Sequence, residues 1–426
     1  METRERQARS ILAALRRGRL SRREALAAVR AAGLSAVAFR LLSGVALADE
    51  TGPGGIPLAR PDKPVKLPLY NEAIKSGLEA ERGGVFNIYN YADYVDPNLL
   101  KAFSEKYGVT ATVTTFDSID EAITKLATNA VRDMDVTEIT SNRVAQAVAG
   151  KLLLPLNKDY IPNLAKNVWP QFQSPFYDVG AQYTVPYTIY TTGIGWRSDK
   201  VSEDIHKMEN PWSILWESQK YKGYVSVLDD SREALAMAML YRGRFDLNTE
   251  DPQIIDDAVA DLLKLVEICS VKVNITGYTT IPQGTCWLAH NWAGNMLSAV
   301  FAFMPPGLDP NIMQYWCPPR GKGPIQNDMW AVCATAKKPV LAHLWLNFLL
   351  DEQNAYSNFV NFNGYQPPIN AITPESLLAD KRIPESLRTA IMTPDDIGPD
   401  SLQECALTTQ GLGLWQAGYA KFIAAG

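Results

Sequence analysis

The residues best suited to chemistry fall in four short clusters. Asp230-Ser231-Arg232-Glu233 sits between a strand-like and a helix-like stretch. Acids three positions apart put two carboxylates on one helical turn. That pairing suits an ammonium group, which brings one positive charge and three N–H donors. The same spacing is also a capping box that starts a helix, and the four residues alone do not choose between these readings. Trp287 and the run His290-Asn291-Trp292-Ala293-Gly294-Asn295 offer indole faces. An indole can cover an alkyl chain or attract a cation, worth roughly 0.5–2 kcal/mol depending on desolvation; Trp287 reads as core. Asn90-Tyr91-Ala92-Asp93-Tyr94 places two tyrosines just after a strand. Gln326-Asn327-Asp328-Met329-Trp330 carries a lone aspartate after a Pro/Gly-rich turn, where Asp is more often a turn residue or cap. The sequence holds no G-x-x-x-x-G-K-[ST] and no G-x-S-x-G, so no nucleotide loop or nucleophile elbow is expected. His206, His290 and His343 show no metal-ligand spacing with cysteine. No catalytic motif, cofactor or metal is expected.

Alternating strands and helices must position these clusters. Val85–Tyr89 is an apolar run. Asp96-Pro97 starts a helix with Asp as N-cap and Pro at the first helical position; Leu99, Leu100, Phe103 and Tyr107 recur at helical spacing and Gly108 ends it. Thr110–Thr115 alternates as a strand, Ser118-Ile119-Asp120-Glu121 is a capping box for a helix to about Ala130, and Asp135–Thr140 is a third strand before a helix ending at Gly150. This order implies right-handed crossovers and a mostly parallel sheet. A second α/β unit follows: Gly223–Leu228, Ser231–Arg242 and the amphipathic Pro252–Cys269. Val340–Asp351 and Ala355–Phe362 are two further helices.

The first 48 residues predict an exported protein. An arginine-rich start, Arg22-Arg23, an apolar run and Ala46-Leu47-Ala48 are the parts of a signal peptide cleaved near Ala48, of twin-arginine type. They hold ten Arg and three Glu; with −5 on the whole chain, −12 remains on the rest. That acidity disfavours nucleic acid and anionic lipid as partners. Residues 49–83 read as an extended Pro/Gly-rich leader. Cys269, Cys286, Cys317, Cys333 and Cys405 allow one or two disulfides in an oxidising compartment, with at least one thiol left over. No later apolar run approaches the roughly 20 residues that span a bilayer. Two α/β units without a catalytic motif, in an exported chain, suggest a hinged protein that closes on a ligand.

From about Gly84 onward the chain resembles the periplasmic polyamine-binding proteins, the spermidine/putrescine receptors of ABC importers. The resemblance is carried by Asn87-Ile88-Tyr89-Asn90-Tyr91-Ala92-Asp93-Tyr94, Thr115-Phe116-Asp117-Ser118, Gly150-Lys151-Leu152-Leu153-Leu154-Pro155-Leu156, and Val185-Pro186-Tyr187 with Thr191-Thr192-Gly193-Ile194-Gly195. Asp229-Asp230-Ser231-Arg232-Glu233, Trp292-Ala293-Gly294, Asn347-Phe348-Leu349-Leu350 and Gly364-Tyr365-Gln366-Pro367 continue it in order. It implies that Tyr91 takes the place of a stacking Trp, with Asp93 and Tyr94 beside it. It further implies that Asp230 and Glu233 hold one amine, Asp328 a second, and that Trp292 and Tyr365 cover the methylenes. Thr140, Asn295 and Gln326 fall at cleft positions where relatives carry Ser, Asp and Trp; Asn142 also departs from the pattern, and a C-terminal polar contact falls near Glu404.

The resemblance implies an α/β, two-lobed periplasmic-binding-protein fold of type II, with crossover strands near residues 190, 328 and 375. Residues 84–190 plus 328–375 would form lobe 1, and 191–327 plus 376–426 lobe 2. The expected ligand is a small cationic amine, putrescine- or spermidine-like, handed to an ABC permease by a monomeric, periplasmic, non-enzymatic protein. Agmatine, an amino-acid-like amine or a quaternary ammonium is the alternative, and an exported hydrolase using a carboxylate pair the remote one.

Overall fold

Asp96 accepts the Asn98 N–H at 2.8 Å and Pro97 follows, so the first long helix begins where its free N–H groups have a partner. It ends at Gly108, whose φ of 65° is the left-handed conformation that stops a helix. The same local logic holds at Ser118, which accepts the Glu121 N–H at 3.2 Å and starts the helix Ile119–Ala127. The computed structural model describes residues 51–398 and 400–425; the expected signal peptide lies outside them.

Eleven strands form the described sheet: β1 (Val85–Tyr91), β2 (Thr110–Phe116), β3 (Val136–Thr140), β4 (Leu153–Leu154), β5 (Thr184–Arg197), β6 (Val225–Val227), β7 (Lys272–Val273), β8 (Leu288–Trp292), β9 (Met313–Trp316), β10 (Pro324–Cys333) and β11 (Leu402–Gln403). The main path runs β2-β1-β3-β10-β5-β8-β6-β7. β1–β3 are parallel, and so are β6–β8. The middle is not: β10 is antiparallel to β3 and β5, and β5 to β8. The expected mostly parallel sheet therefore holds only on the two flanks. The reason is that β5 and β10 run in opposite directions between two packed bodies. The first half of the fully buried, 14-residue β5 pairs with β10 and its second half with β8 and β9.

Two apolar cores flank this middle. One gathers Phe86, Phe103, Trp330 and Trp345; the other Trp196, Trp212, Leu235, Leu262 and Trp415. β5 runs between them near residue 190, with Tyr187 and Ile189 in the first core and Ile194 and Trp196 in the second. Near residue 375 there is a helix, Pro374–Ala379, because Thr373 caps it and Pro374 fixes its first turn. The chain instead returns at β11, parallel to β10, before the helix Thr409–Ile423 enters the second core.

The leader is extended and docks Ile56, Val65 and Leu67 onto Val144, Ala147 and Val148. Arg60 Nη1 donates to the Ala406 carbonyl at 3.0 Å. Trp287 stacks on Tyr224 with centroids 3.7 Å apart and packs against the second core, so it is structural. All five cysteines are free thiols, four of them buried, so the disulfides considered from sequence do not form. Among the described residues no helix is long and apolar enough to cross a membrane.

Candidate ligand-binding cleft

A cavity of about 660 Å³ opens between the two cores. Tyr91, Asp93, Tyr94, Thr140, Asp230, Trp292, Asn295, Gln326, Asp328 and Tyr365 all line it. Most come from strand ends, where side chains of an open α/β sheet meet the crevice: β1 and the loop after it, the end of β3, the loop after β6 and the β8–helix junction; Gln326 and Asp328 lie within β10, and Tyr365 follows the helical turn Phe359–Asn363. Asp93 is exposed at the rim with φ 53°.

Asp328 is the chemical centre of one end. Register sets it between Thr140 on β3 and Thr188 on β5. Its Oδ2 accepts from the Tyr94 hydroxyl and from Thr188 Oγ1 (3.2 Å), and its Oδ1 from the Tyr190 hydroxyl at 3.2 Å. Burial pushes its carboxyl up to about 6, with the three hydroxyls pulling the other way. It is thus ionised at neutral pH, only 4% exposed, and has hydroxyls rather than a cation as partners. That is an anion arranged for a cation to approach.

Aromatic rings continue from there. Tyr94 meets Tyr365 edge-on at 5.2 Å, Tyr365 meets Tyr190 at 5.2 Å, and Tyr190 meets Trp292 at 6.1 Å; Tyr91 stands 6.1 Å from Tyr94. Edge-to-face contacts of this kind hold the rings rigid. Gly294 is required here, since any Cβ at that position would collide with the Tyr365 ring. The Tyr365 hydroxyl donates to Asn295 Oδ1 at 2.9 Å, and Asn295 Nδ2 donates to Asn291 Oδ1 at 2.7 Å.

Glu233 lies behind this wall, outside the lining, and is fully buried. Its Oε1 accepts from Thr192 Oγ1 (2.7 Å), Trp292 Nε1 (2.7 Å) and Gln326 Nε2. Thr192 and Trp292 are register partners across β5 and β8, which is why both reach it. Burial drives its carboxyl well above the usual range, with Glu404 and Asp230 adding to the rise. His290 Nε2 stands 3.8 Å from Oε2, but burial holds that imidazole neutral, down to about 3.

The rest of the polar lining is built differently. Asp230 caps its helix, Oδ1 accepting the N–H groups of Arg232 (2.8 Å) and Glu233 (3.0 Å). Thr140 Oγ1 donates to Asn142 Oδ1 at 2.7 Å, and Asn142 Nδ2 to Glu404 Oε2 at 3.3 Å. Arg143 and Arg232 also line the cavity. Sequence reasoning passed over Tyr190, Arg143, Arg232 as a lining residue, and Tyr278. Tyr190 carried a signal, lying in the crossing segment Val185–Gly195; Arg143 carried none beyond following Thr140 by three.

The family model for bacterial extracellular solute-binding proteins matches residues 98–383. A putrescine/cadaverine-binding protein of Pseudomonas aeruginosa is 27% identical over 315 residues, covering 72% of this chain and 86% of its own. A spermidine/putrescine-binding periplasmic protein of Escherichia coli is 27% identical over 275 residues, 65% of this chain and 75% of its own. Both relatives are named as binding proteins rather than enzymes. The substrate-binding protein of a spermidine/putrescine ABC transporter from Streptococcus pneumoniae superposes with a TM-score of 0.60 at 23% identity, over 80% of this chain and 99% of its own. The two cores, the strands that cross between them and the cleft are thus the two-lobed architecture of a periplasmic binding protein, and with the model match spanning more than half of its length this chain belongs to the bacterial extracellular solute-binding proteins.

Proposed function

We propose that the protein captures a linear cationic amine of the putrescine/spermidine class in its cleft and delivers it to the permease of an ABC importer. The observation that carries this is Asp328, a buried carboxylate whose only hydrogen-bond donors among the described residues are hydroxyls, set beside a run of aromatic rings. In this reading Asp328 holds an ammonium, Tyr91, Tyr94, Trp292 and Tyr365 wall the methylenes, and burial of each CH₂ contributes roughly 0.8 kcal/mol. Asp230, Thr140, Asn295 and Gln326 line the path, and Asp93 guards the rim. Glu233 acts as a positioning residue that orients Trp292 and Gln326. The names of the relatives support the substrate class and the transport role. The protein works as a monomer without turnover, exported to the periplasm with its signal cleaved near Ala48. Its lobes comprise roughly 84–190 plus 328–375 and 191–327 plus 376–426, and closure about β5 and β10 traps the ligand.

The test is a thermal-shift screen of ligand-stripped protein against putrescine, cadaverine, spermidine, spermine, agmatine, 4-aminobutanoate and choline. A ligand that binds only the folded state raises the melting temperature with ln(1 + [L]/Kd). A shift with at least one amine is expected; none with any of them would refute the reading.

A further inference from the structure

Behind the cleft wall, Glu233 Oε2 and both ring nitrogens of His290 are buried with no hydrogen-bond partner among the described residues. Two of these atoms face each other, His290 Nε2 standing 3.8 Å from Glu233 Oε2. A buried polar group left unpaired costs about 1–3 kcal/mol, so a bond between them is favoured by both groups at once. The sheet explains the juxtaposition. His290 and Trp292 are alternate residues of β8, on one face of the sheet with their β5 partners Ile194 and Thr192. Glu233, on the helix Ser231–Tyr241, lays its carboxyl over this face. Its Oε1 takes the donors of Thr192, Trp292 and Gln326. Its Oε2 is left to His290.

The groups around Glu233 decide where its proton sits. β5 brings Thr192, β8 brings Trp292 and a His290 that burial keeps neutral, and β10 brings Gln326. The largest charge effects on Glu233 come from Glu404, after β11, and from Asp230 on its own helix, and both are acids. Arg232 commits its guanidinium to the Cys405 and Leu247 carbonyls. An ionised Glu233 would thus be a buried anion beside two other acids, with no cation paired to it. A neutral carboxylic acid avoids that cost and needs one acceptor for its O–H. Oε1 already accepts three bonds, so the proton belongs on Oε2, and His290 Nε2 is the acceptor facing it.

Building on the amine-binding reading above, we infer that His290 is a positioning residue: it accepts the Oε2–H of a neutral Glu233 and so fixes, through Oε1, the Trp292 indole and the Gln326 amide that line the cleft. Trp292 then meets the ligand with a neutral acid behind it rather than a second anion.

Two measurements test this, and the first needs no ligand. The chain has three histidines, and nitrogen NMR of labelled, ligand-stripped protein at neutral pH reports which ring atom holds each proton. His206 is exposed. His343 donates from Nδ1 to the Pro339 carbonyl (2.6 Å) and accepts the Asn157 N–H at Nε2 (3.1 Å), so its proton is on Nδ1. Both buried rings are therefore expected as neutral Nδ1–H tautomers. A buried ring with its proton on Nε2, or with both nitrogens protonated, is His290 beside an ionised Glu233 and overturns the inference. The second measurement is calorimetric titration with 1,4-diaminobutane, or with the tightest amine of the screen above. His290→Leu removes the acceptor and should weaken binding about fivefold or more. His290→Gln, whose side-chain oxygen can accept the same proton, should return it to within about twofold of wild type. A Leu variant that binds like wild type, or a Gln variant as weak as Leu, overturns the positioning role. The tautomer is decisive even where a variant fails to fold. Wild-type protein that binds no amine overturns the amine-binding reading alone, and the tautomer then decides whether Glu233 hands its proton to His290.

Discussion

Replacing Asp328 by Asn should move binding and stability in opposite directions. With its carboxyl titrating near 6, Asp328 is almost wholly ionised at pH 7.5. Asn keeps the shape and one acceptor, and the Tyr94 and Thr188 hydroxyls can turn to accept from the new NH₂ group. What is lost is the charge facing the ammonium. Removing one partner of a buried, hydrogen-bonded charge pair costs about 2–5 kcal/mol, so about 3 kcal/mol, or roughly 150-fold in Kd, is the central expectation. The free protein responds the other way. A carboxyl raised from 3.8 to about 6 by burial disfavours the folded state when ionised, by about 1.4 kcal/mol per pKa unit. Allowing for the hydroxyl bonds it gives up, Asn should stabilise the unliganded protein by about 1–3 kcal/mol. Titration calorimetry with the tightest amine and urea melts of ligand-stripped protein measure the two quantities. An Asn variant that binds within threefold of wild type would refute the assignment of Asp328 as the ammonium anchor.

Affinity should fall about tenfold per pH unit below pH 6, as Asp328 takes up a proton and loses its charge; fluorescence titration from pH 8 to 4.5 checks this. Stability of the free protein should run oppositely. Asp328 and Glu404 (up to about 7) bind protons more tightly folded than unfolded. Their stabilising contribution is therefore complete below the unfolded carboxyl range and is lost as pH rises through 6–7, which melting curves across pH would show. Glu233→Gln should leave amine affinity within about threefold, since Gln can still accept from Trp292, Thr192 and Gln326; a loss beyond about fiftyfold would mean that Glu233 grips the ligand itself. Gly294→Ala should push Tyr365 aside, break its bond to Asn295 and weaken binding about five- to twentyfold, read by the same titration. Val65→Ala should cost about 1–3 kcal/mol in urea melts by loosening the leader.

The helices were legible because their ends announce themselves: Asp96-Pro97 and Gly108, Ser118, and Asp230 mark boundaries through local bonds that sequence spacing predicts. The antiparallel middle was not, because nothing local in Thr184–Arg197 tells that one strand will serve two bodies; its partners lie on β10 and β8, far away in sequence. The helix at 374–379 did have a local signal, Thr373-Pro374 with Ser376, which the expectation of a crossing strand overrode. Within the cleft, residue types named the aromatic and acidic members. Depth was invisible: Asp230 and Glu233 share one helical turn, yet one faces the cavity and the other sits behind Trp292. Arg143 was missed because an arginine after a strand reads as surface, and only the fold shows it buried.

The Arg60–Ala406 bond joins residues 346 positions apart, and this orders events during synthesis. At roughly 5–20 residues per second, Ala406 emerges some tens of seconds after Arg60. Ile56, Val65 and Leu67 can settle on Val144, Ala147 and Val148 early, since those follow closely in the chain. Their tether to the other half must wait for nearly the last segment made. A ribosome-bound chain would thus carry a docked but unfastened leader for most of its translation, whereas a chain refolding from urea has both ends at hand from the start. Contacts this distant are slow to form in either case, so protection of the Arg60 region against proteolysis should come late in folding.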